Sequence, residues 1–93
     1  MLSKKEFDLN KEWQLPGSPF KPADLLHVSF LLKQPQHMEI YERFRAGKLS
    51  RSDIKLIVKE NKRISAAAKA KGDTAIENNA RNVAEHLEAL LKG

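Results

Sequence analysis

With 93 residues, no cysteine, and 17 basic against 12 acidic side chains, the chain has room for one modest hydrophobic core and no means of making a disulfide, a thiolate nucleophile or most zinc sites. Its longest apolar run, residues 28–32, is interrupted by Ser29 and falls well short of the roughly 18 residues of a membrane span. The charge excess is local: residues 33–63 hold nine of the basic and four of the acidic groups, a distribution that suits a polyanion such as nucleic acid, or an acidic protein surface.

Ser3 and Glu6 have the spacing of a capping box, with Leu2 and Phe7 as a staple, so a short helix is expected over residues 4–11. The basic N-terminus has no apolar segment behind it, so a signal peptide is not expected and a cytoplasmic location is the default. Residues 14–22, QLPGSPFKP, hold three prolines and a glycine and form a connector, not a helix. Phe7, Trp13 and Phe20 all lie in this arm, and sealing the helical core is their expected role.

Pro22 fits the first turn of the next helix, where its missing N–H costs nothing. In that helix Leu25, Leu26, Val28, Phe30, Leu31 and Leu32 surround the axis instead of forming a stripe, so it is expected to be central and buried on most sides. Pro35 ends it. Residues 36–46 then read as an amphipathic helix, with Met38, Tyr41 and Phe44 on one face and Gly47 as its stop.

The best-signalled element follows. Ser50 and Asp53 form a capping box, Leu49 and Ile54 a staple, and Gly72 a left-handed terminator, which together predict one helix across residues 50–71. Ile54, Ile57, Val58, Ile64 and Ala68 recur on one face, with Asn61 among them; Arg51, Lys55, Lys59, Lys62 and Lys69 line another. Thr74 and Glu77 have the spacing of a third box, opening a helix in which Ile76, Ala80, Val83, Leu87 and Leu90 alternate four and three residues apart, and the small Ala66, Ala67, Ala68 and Ala70 would let the two helices approach closely. The short link at residues 72–73 favours an antiparallel hairpin of 50–71 and 74–92, and the same seam would also suit a homodimer. The expected fold is therefore all-α: a small bundle of four to five helices with a C-terminal hairpin, residues 1–22 as an N-terminal arm and 23–93 as the helical domain.

Catalytic chemistry is not legible. His27, His37 and His86 lie in three segments without metal-ligand spacing, the glycines are isolated, and Asp24, His27 and Ser29 share one helical turn, too close for separated triad roles. No enzyme activity, cofactor or metal is expected. Arg43, Arg45, Lys48, Arg51, Lys55, Lys59, Lys62, Arg63 and Lys69 instead read as a nearly continuous basic band for phosphates, with Ser50 and Ser52 adding a helix N-terminus and DNA as the favoured ligand of a small regulator or accessory protein.

Residues 46–54, AGKLSRSDI, are similar to the entry of the helix-turn-helix unit in tryptophan-repressor-like proteins, which would imply a recognition helix at residues 64–69. In such a unit Lys59 would stand where a turn glycine is favoured and Glu60 where an apolar plug is needed, so the uninterrupted helix is the expected outcome. The alternative function is a protein-interaction adaptor or inhibitor that grips its partner through Trp13, Leu56 and the Val83, Leu87 and Leu90 seam.

Overall fold

The computed structural model describes residues 6–14, 16–18 and 21–92; Leu2, Ser3, Phe20 and the side chain of Trp13 lie outside that description. Five α-helices follow one another: α1 (Leu9–Gln14), α2 (Pro22–Leu32), α3 (Met38–Ala46), α4 (Arg51–Lys71) and α5 (Thr74–Lys92), with a 3-10 turn, Pro35–His37, between α2 and α3. The chain is a small all-α bundle, and no described helix is long and apolar enough to cross a membrane.

Helices α4 and α5 form the antiparallel hairpin. Contacts pair residue 51 with 91, 62 with 88 and 65 with 77, so the two helices run in opposite directions. The link is a Schellman turn: Gly72 sits at φ +78°, its N–H bonds to the carbonyl of Lys69 at 3.1 Å, and the Asp73 N–H reaches Ala68 at 2.9 Å. Asp73 then caps α5 through Oδ1 to the N–H of Ile76, so the cap lies one residue before the Thr74 read from sequence. An aspartate already fixed by the preceding turn leaves Thr74 as the first helical residue. Of the four alanines expected to face α5, only Ala68 is buried; Ala66, Ala67 and Ala70 are exposed, because four alanines in five positions span more than half the helix circumference.

The core runs from Phe7 and Leu9 through Val28, Leu31, Leu32, Phe44, Leu49, Ile54 and Ile57 to Val83 and Leu87. Asn61 stands within it, fully buried and fully used: its amide nitrogen donates to the Ile57 carbonyl at 2.8 Å, and its oxygen accepts from His27 Nε2 at 2.8 Å. This hydrogen bond ties α2 to α4 at one register, since sliding either helix would strand a buried amide.

Three expectations are corrected. Residues 6–8 are not helical; Phe7 pairs with Leu49 in an antiparallel bridge through two backbone hydrogen bonds, 2.8 and 3.1 Å. Helix α1 begins after Asp8, whose Oδ1 accepts from the N–H groups of Asn10 and Lys11, a cap that outcompetes a start further upstream. Helix α2 is not buried all round: Leu26 is 61% and Phe30 66% exposed, on the side facing away from Val28 and Leu31. On α3 the buried pair is Ile40 and Phe44, an i, i+4 stripe, while Met38 is exposed and Tyr41 half-buried.

Candidate nucleic-acid interface

The N-terminus of α4 is built as the sequence indicates. Ser50 Oγ accepts from the Asp53 N–H at 3.1 Å, and Asp53 Oδ2 accepts from the Ser50 N–H at 3.0 Å. The same carboxylate takes a fork from Arg43, Nε to Oδ2 at 2.7 Å and Nη2 to Oδ1 at 2.8 Å. Arg43, with the Ser50 backbone and hydroxyl assisting, holds the Asp53 carboxyl below its ordinary range.

A depressed folded-state value means that this contribution to stability is fully present above the ordinary aspartate value near 4 and is lost as pH falls through the folded value. The destabilisation caused by Asp53→Asn should therefore be constant around neutral pH and shrink below about pH 4. Urea midpoints at pH 7 and pH 3 check this; an undiminished difference at pH 3 would remove the ion pair from the account.

This arrangement divides the expected basic band. Arg43 is consumed by Asp53, and Arg45, two residues along α3 and so on its opposite side, lies over the Tyr41 ring at 5.9 Å. Asp53 also occupies the helix N-terminus with a negative charge of its own, so Ser50 and Ser52 do not offer an open phosphate cradle there. Arg63 pairs with Glu60 at 2.7 Å and Lys62 with Glu88 at 3.1 Å. Lys69 borders an open groove between α4 and α5 in which it, Lys62 and Arg81 face Glu77, Glu85 and Glu88.

What remains is a shorter and cleaner feature. Lys48, Arg51, Lys55 and Lys59 are exposed and have no acidic partner among the described residues. Arg51, Lys55 and Lys59 follow one another at i, i+4 along the outer face of α4, about 6 Å apart. Arg51 donates from Nη2 to the Leu91 carbonyl at 2.8 Å, which caps the end of α5 and leaves the guanidinium without a carboxylate partner among the described residues. That contact brings the end of α5, and with it the exposed Lys92, to the start of the strip. Lys92 has no signal in the sequence, because a contact between residues forty apart has no local pattern.

The side chains proposed for a protein partner are placed differently. Val83 and Leu87 are fully buried, and Leu56 and Leu90 are half-buried and packed against the same core. Leu56, expected to grip a partner, is one of the core's edges. Among the described residues no group of three or more metal-ligating side chains converges, and His27, His37 and His86 stay in separate helices or turns. No protein-family model, no curated protein and no solved structure matches the chain.

Proposed function

We propose that the protein is a small nucleic-acid-binding regulator or accessory factor that contacts phosphates through Lys48, Arg51, Lys55 and Lys59, with DNA as the first ligand to test. The observation that carries this reading is the row of cations on the outer face of α4 that have no carboxylate partner among the described residues, set beside Arg43, Lys62 and Arg63, which are each matched to a carboxylate, and Arg45, which lies over Tyr41. Cations that only solvate a helix surface need no such segregation. Against the adaptor reading through the last helix, Val83 and Leu87 already have α4 across from them.

Counterion release sets the scale of the test. Each phosphate contact contributes a factor of about [salt] to the power −0.9, so removing two contacts near 0.1 M salt should cost roughly sixty-fold in affinity. Lys55→Gln with Lys59→Gln should show that loss by fluorescence anisotropy on a labelled duplex. Lys62→Gln with Glu88→Gln removes an ion pair, leaves the net charge of +5 unchanged, and should stay within about threefold of wild type. An unchanged affinity in the first variant, with its circular dichroism intact, ends the proposal.

A further inference from the structure

Resting on that reading, we infer that the polyanion is a double-stranded nucleic acid, held along α4 by its backbone, with neither base stacking nor base reading on that helix. The first ground is the surface between the cations. The exposed residues of α4 are Arg51, Ser52, Lys55, Lys59, Lys62, Arg63, Ala66, Ala67, Lys69, Ala70 and Lys71. All the uncharged ones are small, which lets a bulky duplex lie close along the helix. None is aromatic, so the strip offers no platform on which unstacked bases could lie, the feature that sustains single-strand binding. None is Asn or Gln, the side chains that read adenine bidentately, and three of the four cations of the row are lysines, compact point charges on flexible stems that suit phosphates.

The second ground is rigidity. Helix α4 is 21 residues long, capped at both ends, and about 32 Å from end to end. The backbone positions of its cations are fixed in a straight row by the Asp53 fork, the Asn61 hydrogen bond and the hairpin. A duplex already presents phosphates at fixed positions and at a density of one charge per roughly 1.7 Å of axis, whereas a single strand must be ordered to match and releases fewer counterions per contact. A straight row of anchor points therefore gains most from a stiff partner.

The third ground concerns the described aromatic side chains. Phe44 is buried, and Tyr41 is stacked on it at 6.3 Å under the Arg45 guanidinium. Phe30 is exposed with Lys33 over its ring at 5.7 Å, and it is the one aromatic here with a free face. It sits on α2, which docks to α4 through Asn61, and Asn61 lies about 160° around α4 from Lys59. A strand following the cations does not meet it.

The test compares a 20-base-pair duplex with each of its separated strands, and an A·T-rich with a G·C-rich duplex, using wild type and Phe30→Ala near 0.1 M salt. The expected result is at least tenfold tighter binding to the duplex than to either strand. The two duplexes should agree within about threefold, and Phe30→Ala should leave every value unchanged. Single strands binding as tightly as the duplex, a strong preference between the duplexes, or a loss confined to Phe30→Ala would each overturn the inference while leaving phosphate binding standing. Binding to none of the probes would instead overturn the proposed function itself.

Discussion

Raising salt from about 50 to 200 mM should weaken duplex binding roughly 150-fold, the drop given by four phosphate contacts at a slope near −3.6 in log affinity against log salt concentration. The number of contacts is the structural claim under test. Counting the whole basic segment, Arg43 to Lys69, would give nine contacts and a far steeper line. The structure instead sets aside Arg43, Lys62 and Arg63 as paired, Arg45 as turned along Tyr41, and Lys69 as part of a groove with three carboxylates. The Lys55→Gln, Lys59→Gln variant should halve the slope as well as lower the affinity. A wild-type slope near −8 would mean that nucleic acid breaks the ion pairs on binding, and a slope near zero would mean that charge is not what holds it.

Gly47→Ala should cost about 2–3 kcal/mol, several times what a surface substitution usually costs, and lower the thermal midpoint by roughly 10–20 °C in a domain of this size. Two terms combine. Gly47 sits at φ +71°, a left-handed conformation that costs an L side chain about 1–2 kcal/mol. An added Cβ would also come within 2.6 Å of Asp8 Oδ2 and 2.8 Å of its Cγ. That carboxylate has little freedom to retreat, since its other oxygen caps α1. Gly72 provides the internal comparison: its φ is +78°, but an added Cβ would meet nothing within 4 Å, so Gly72→Ala should lose only the conformational term, about 1 kcal/mol. Adding Asp8→Ala to Gly47→Ala should cost less than the sum of the two single changes. Equal losses at the two glycines, followed by chemical unfolding, would refute the contact.

These two cases separate what a sequence reveals from what it hides. Signals that act within one or two helical turns are legible: the Ser50 and Asp53 box, the left-handed glycines at 47 and 72, the Pro22 start, and the continuous α4 that excludes a turn at Lys59 and Glu60. With α4 unbroken, residues 64–69 are its second half and not a separate recognition helix. The hidden part depends on partners distant in sequence. The pairing of Phe7 with Leu49 reassigns residues 6–8, Asp8 takes over the α1 cap, and the ion pairs of Arg43 and Lys62 thin the basic band. The all-round apolar pattern of α2 misleads for a related reason. Periodicity reports which faces are able to be buried, and Leu26 and Phe30 stay exposed because no described element covers that side.

The bridge between Phe7 and Leu49 also bears on the order in which the molecule assembles. The α4 and α5 hairpin joins neighbours in sequence and can form early, whereas this pairing must close a loop of about forty residues before it gains anything. The turn carrying Lys48 is already held by local bonds, Gly47 N–H to the Phe44 carbonyl and Lys48 N–H to the Arg43 carbonyl, and by the Arg43–Asp53 fork, so the closure adds the arm to a turn already in place. A nascent or partly opened chain would thus already display Lys48, Lys55 and Lys59 together, and gain the Phe7 pairing as the last step of folding.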